Sequence, residues 1–136
     1  MRGRLPLLVA AAVAVVGTVS GCGTGADRDQ VRAVTVRFLA ALAARQGDAA
    51  CAQLSTALRT TLMQGERYAQ RCAGAVVKLT TGGGSPRAVR VYATSARVDL
   101  SGGESVFLGQ MRHGWRIEAL GCRPRPSGLY ACEQRA

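Results

Sequence analysis

The hydrophobic positions change period twice along the chain. From Leu5 to Ser20 they run together without a charge and end in Gly17, Thr18, Ser20 and Gly21. That run is shorter than the roughly 20 apolar residues a membrane-spanning helix needs. From Val31 the apolar residues recur every three or four positions, as Val31, Val34, Phe38, Leu39 and Leu42. Arg28, Arg32, Arg37 and Arg45 mostly fall off that stripe. This predicts an amphipathic helix with one face on a core. At Gln46-Gly47-Asp48 the pattern stops and restarts, with Gly47 suited to a C-terminal cap and Asp48 to an N-cap. A short helix over Ala49–Leu54 is expected next. Ser55 then caps a helix that carries Leu58 and Leu62 and closes at Gly65. A last helix is predicted from about Arg67 to Leu79, with Cys72, Val76 and Leu79 on one face.

Beyond the loop Gly82-Gly-Gly-Ser-Pro86 the period becomes two. Val89, Val91 and Ala93 alternate with Arg90 and Tyr92, and Ala96, Val98 and Leu100 with Arg97 and Asp99. Ser101-Gly-Gly103 makes a turn, Val106 to Gln110 a third strand, and Arg112-His113-Gly114 reverses the chain into Trp115-Arg-Ile-Glu-Ala119. Leu129 to Cys132 is expected to add an edge strand. These strands predict an antiparallel meander with one buried and one charged face. The fold class is therefore α+β, with N-terminal helices packed on a curved antiparallel sheet. A chain of 136 residues has room for one such domain, expected over 29–136. The face lined by Val89, Val91, Val98, Phe107, Trp115 and Ile117 is the candidate ligand-facing surface.

The N-terminal segment reads as an export signal. Arg2 and Arg4 precede the apolar run, and small residues close it. Val19-Ser20-Gly21-Cys22 resembles the bacterial lipobox, in which a cysteine becomes the mature N-terminus and carries diacylglycerol in thioether linkage. The likeness makes 1–21 a lipoprotein signal peptide, Cys22 the lipidation site and 22–28 a tether. The partner implied is the cell membrane, and the expected location is the outer face of the cytoplasmic membrane. Two or three acyl chains anchor firmly where one does not. Ordinary secretion, with Cys22 a free thiol, is the plainer alternative.

Of the five cysteines, Cys51, Cys72, Cys122 and Cys132 then remain. An even set in an oxidising compartment reads as disulfides, and four cysteines allow three connectivities. Pairing of neighbours is expected, Cys51 with Cys72 in the helical half and Cys122 with Cys132 in the strand half. No C-x-x-C spacing exists, and the one histidine, His113, is distant from both pairs in sequence. The sequence therefore offers no metal site, redox motif or cofactor site.

Composition adds charge to this picture. Lys+Arg number 18 against 8 Asp+Glu, and every one of the 18 except Lys78 is arginine. Removing the signal takes Arg2 and Arg4 with it. The arginines are dispersed and aromatics are few, which argues against nucleic acid as a partner. An anionic membrane surface or envelope polymer suits the charge better, and another envelope protein is the other candidate partner.

Catalytic signatures are missing from the same residues. Asp99 and Glu118 alternate with Arg97 and Arg116 on the charged face, Glu104 sits in a glycine-rich turn, and His113 belongs at a hairpin tip. Ser55 and Ser105 lack a G-x-S-x-G setting, and Gly82-Gly-Gly84 lacks the lysine of a phosphate loop.

The lipobox together with Phe38-Leu-Ala-Ala-Leu42, Gly47-Asp-Ala-Ala-Cys51-Ala52 and Gly114-Trp-Arg-Ile117 resembles small actinobacterial lipoproteins. Their exported domain is thought to be cystatin-like, of the nuclear-transport-factor-two-like type. The resemblance spans most of 29–133 and implies a curved sheet folded around helices, often enclosing an apolar pocket. The expected function is an exported, lipid-anchored membrane lipoprotein with a non-catalytic binding domain. The alternative is a small isomerase- or dehydratase-like enzyme on the same cone-shaped fold, which needs an acid or histidine pointing into the concavity.

Overall fold

A computed structural model describes residues 25–65 and 71–136. The signal segment, Cys22 and the start of the helix predicted from Arg67 lie outside the described residues. Four helices come first, α1 (Gly25–Ala43), α2 (Gly47–Cys51), α3 (Thr56–Gly65) and α4 (Cys72–Val76). Six strands follow, β1 (Pro86–Tyr92), β2 (Ser95–Leu100), β3 (Ser105–Met111), β4 (Gly114–Pro124), β5 (Tyr130–Ala131) and β6 (Gln134–Arg135). They form one antiparallel sheet, ordered β1-β2-β3-β4-β5 with β6 also on β4, and it does not close into a barrel.

Helix α1 buries the predicted stripe. Val31, Val34 and Phe38 are buried, and Leu39 and Leu42 pack partly buried against the same core. Thr35 is buried with them because its hydroxyl donates to the Val31 carbonyl at 2.9 Å, which satisfies a polar group that would otherwise be costly to bury. The helix begins at Gly25, inside the span expected to be tether. Trp115 Nε1 donates to Asp27 Oδ1 at 3.3 Å and so fastens the first turn to the sheet.

The turn after α1 differs from expectation. Arg45 N–H donates to the Leu42 carbonyl and Gln46 N–H to the Ala41 carbonyl, the two bonds of a Schellman ending. Arg45, with φ of 54°, holds the left-handed position. Gly47 has a different task. A Cβ there would lie 2.3 Å from the Ala73 carbonyl oxygen, so the missing side chain lets α2 lie against the start of α4. Gln46 stands at the N-cap of α2, and Asp48 falls within its first turn.

Helix α2 ends at Cys51, short of the predicted Leu54, because the next residues are drawn into the sheet. Ile117 N–H donates to the Gln53 carbonyl at 2.9 Å, and Ser55 N–H donates to the Ile117 carbonyl at 2.8 Å. Leu54 and Ile117 thereby form a parallel bridge on the outer edge of β4. Ser55 then caps α3 as predicted, its Oγ accepting from Leu58 N–H at 3.1 Å. Helix α4 finishes at Val76, where Lys78 and Leu79 N–H groups reach back only three residues, the tighter bonding typical of a helix end.

The disulfides are Cys51–Cys72 and Cys122–Cys132. The first joins α2 to α4 across 21 residues of sequence, a closure worth roughly 3 kcal/mol. Between helices and sheet, two acids hold the connector. Glu104 accepts from the Thr81 hydroxyl and Gly82 N–H, and Glu133 accepts from the N–H and hydroxyl of Thr80.

In the sheet, Val98 faces Val106 and Ala96 faces Leu108 across β2 and β3, and Leu108 faces Ile117 across β3 and β4. This inner face meets α1 and the other helices and forms the core. Register shifts in the β3–β4 ladder on either side of Phe107 mark bulges, which bend the strands. Ala93, predicted in strand, instead turns the chain between β1 and β2 with φ of 52°.

The turn at 45–47 yields opposite expectations for neighbouring positions. Gly47→Ala should destabilise the protein by about 1–3 kcal/mol, the usual cost of overpacking. Arg45→Gly should stabilise it by about 1 kcal/mol by relieving the left-handed conformation. Urea midpoints at constant m-value check both, and equal shifts in one direction would contradict this account of the turn.

Candidate functional site

The residues expected to face a ligand divide between two surfaces. Val98, Trp115 and Ile117 are at most 1% exposed, and Val89 and Val91 pack partly buried on the same cluster. These five are the floor of the core beneath the helices. Phe107 lies on the opposite side of the sheet, since it pairs with Arg97 across β2 and β3 and residues facing each other share a side. Its ring meets Tyr130 edge-on, with centroids 5.0 Å apart. The expectation of one ligand-facing surface on the inner sheet face is therefore corrected.

The outer side of the sheet carries a charge network. Asp99 pairs with Arg90 and Arg97, the latter with Nε 3.0 Å from Oδ1, and Ser105 Oγ donates to Asp99 Oδ1 at 2.8 Å. Arg97 also donates to the Tyr130 hydroxyl at 2.9 Å and lies over that ring. Burial alone would push the Asp99 carboxyl up. The hydrogen bonds from Ser105 and Arg90 and the charges of Arg97 and Arg90 outweigh it and hold the carboxyl below its ordinary 3.8. Beside this network is a hollow of about 410 Å³ floored by Phe107, Glu118 and Ala119 and rimmed by Leu129 and Tyr130.

The strand-half acids do not converge on an inner site. Asp99 and Glu118 face the outer side, Glu104 and Glu133 hold the connector, and Arg123 ion-pairs with Glu104 at 2.9 Å. His113 is exposed at the β3–β4 tip, where Gly114 rather than His113 takes the positive φ, 99°. Among the described residues no three of His, Cys, Asp or Glu are grouped to hold a metal.

A second concave region was not anticipated. The first turn of α3 and the β3–β4 hairpin enclose a groove of about 370 Å³ lined in part by Arg59, Arg112, His113 and Arg116. On the other side of the hairpin a smaller groove, about 200 Å³, runs between Arg37 of α1 and His113, Trp115 and Arg116. The basic residues of the two grooves together come from three separate stretches of sequence, so no local motif announces them. Comparison with family models, curated proteins and solved structures found no match to this chain.

The Asp99 network has a pH signature. A depressed carboxyl contributes stability above its ordinary pKa and loses it as pH falls through the folded value. Asp99→Asn should cost about 0.5–1 kcal/mol near neutrality, as partly exposed pairs do. The gap from the parent should hold down to about pH 5 and close below about pH 4. Chemical denaturation across pH 2–7 measures it, and a gap that persists at pH 2 would place the effect elsewhere.

Proposed function

We propose that the chain is an exported membrane lipoprotein, anchored through Cys22 on the outer face of the cytoplasmic membrane. Its folded part is a non-catalytic binding domain of the cystatin-like type. The observation that carries this reading is the pair of disulfides, one in each half of the fold. Such bonds persist in oxidising compartments and are rare in the cytosol. They agree with the basic, apolar, small-residue order of 1–21 and with Cys22 immediately after it. Among the described residues no helix is long and apolar enough to cross a membrane, and attachment rests on the lipid.

The layer order supports the finer fold assignment, with a long α1 lying over the inner face of an antiparallel meander. The packed inner face moves the binding surface to the exterior of the domain. There it meets an anionic envelope polymer or another envelope protein.

Cys22→Ala tests the anchor. The variant should accumulate as an uncleaved precursor that takes up no radiolabelled fatty acid, whereas the parent is labelled and shortened. Normal labelling of the variant would sink the assignment.

A further inference from the structure

We propose that the grooves flanking the β3–β4 hairpin bind a linear phosphate-bearing polymer, gripped by Arg37, Arg59, Arg112 and Arg116. The proposal rests on the reading of the domain as a binding module and names its site and the chemistry of its partner.

Three of these four guanidinium groups are held by hydrogen bonds within the protein. Arg37 Nε donates to Gln53 Oε1, Arg59 Nη2 to Thr56 Oγ1, and Arg116 Nη1 to the Trp115 carbonyl. Each acceptor is a neutral oxygen. The ion pairs formed by arginines among the described residues are those of Arg90, Arg97 and Arg123. Glu118 is the one acid lining the two grooves, so positive charge is in excess there. Hydrogen bonds to neutral oxygens orient a guanidinium without cancelling its charge, and each still has N–H groups to offer. The planar fork then suits a phosphate oxygen pair better than any other basic side chain does. Gathering several in a concave wall concentrates the field, and the ten-residue α3 directs its positive end into the larger groove.

The form of the site selects among anions. His113 and Arg116 line both grooves, so the two adjoin at the hairpin, and a chain crossing it passes all four arginines. Arg59 and Arg116 are half-buried in the walls, where a flat bilayer reaches them poorly and a thread of phosphates reaches them well. The one ring in the grooves besides His113 is Trp115, which is 1% exposed. Nucleic-acid bases would find almost nothing to stack on, which favours a polymer without bases.

Trp115 is the only tryptophan and lines the smaller groove, so its emission reports occupancy. The experiment titrates the full chain, held in neutral detergent micelles, with long-chain inorganic polyphosphate. A saturable change in Trp115 emission is expected, weakening at least about tenfold between 50 and 200 mM salt. Arg112→Ala and Arg37→Ala should each weaken binding about fivefold, and Glu118→Gln should tighten it. Arg87→Ala, on the far strand β1, should leave it unchanged, with circular dichroism confirming that every variant is folded.

The proposal falls if polyphosphate leaves Trp115 unmoved, or if Arg87→Ala weakens binding as much as Arg112→Ala does. It falls equally if a single-stranded oligonucleotide binds tighter than polyphosphate, or if only phosphatidylglycerol-doped micelles give the response. None of these readouts depends on lipidation, so failure of the anchor at Cys22 is distinguishable from failure of the groove.

Discussion

The backbone of Ile117 is the constraint on which the arrangement turns. Ile117 is fully buried in the middle of β4, and its outward N–H and C=O cannot reach water. Buried backbone groups of this kind must be paired. The partners come from Gln53 and Ser55, which forces α2 to stop at Cys51 and α3 to start in a new direction. That break brings Cys51 level with Cys72, since an unbroken helix from 49 onward would carry the chain about 1.5 Å per residue away. The same break creates the corner in which Arg59 faces the β3–β4 hairpin. One strand's need for a hydrogen-bond partner thus sets a disulfide and a groove together.

Further along β4 the chain's own tail meets the same need. Beyond Ile117 the outer edge is taken by β6 at Ala119 and Leu120 and by β5 at Arg123 and Pro124. The Cys122–Cys132 bond staples tail to strand. Glu133 reaches from that tail to Thr80, and Glu104 from the β2–β3 turn to Thr81. The passage from helices to sheet is therefore held from both sides of the fold. At the other end of the sheet, β1 presents exposed Arg87 and Arg90, and charge on an edge discourages further strands from adding there.

Periodicity made the helix-then-meander order and the α1 stripe legible in the sequence, residue type the Ser55 cap, and the even count of cysteines in the two halves the neighbour disulfides. What it missed has a physical cause in each case. Val106-Phe107-Leu108 is a run of three apolar residues, and period two cannot say which of them faces out. The structure buries Val106 and Leu108 inside and covers Phe107 with Tyr130, a pairing between the third strand and the expected tail strand that no periodicity specifies. Gly47 read as a cap because glycine usually serves there, yet its task is an approach to Ala73 that only tertiary structure reveals. Ala93 continues the apolar alternation and is not a strong turn residue, so the reversal expected between the first two strands begins one residue earlier than the alternation indicates.

The candidate site was the least legible part for a related reason. A sequence pattern identifies a buried face well, and the apolar alternation from Val89 to Ile117 did so. A buried face is where helices go, however, and here they fill it with Phe38, Leu58 and Leu62, leaving that surface to stability. The proposed binding residues are side chains that the pattern calls merely solvated, since a charged residue off the stripe looks alike whether it stands alone or beside others. Arg37, Arg59, Arg112 and Arg116 become a set only when α1, α3 and the hairpin converge. What brings α3 to that corner is the buried backbone of Ile117, so the packing that closes the interior also assembles the charged surface outside it.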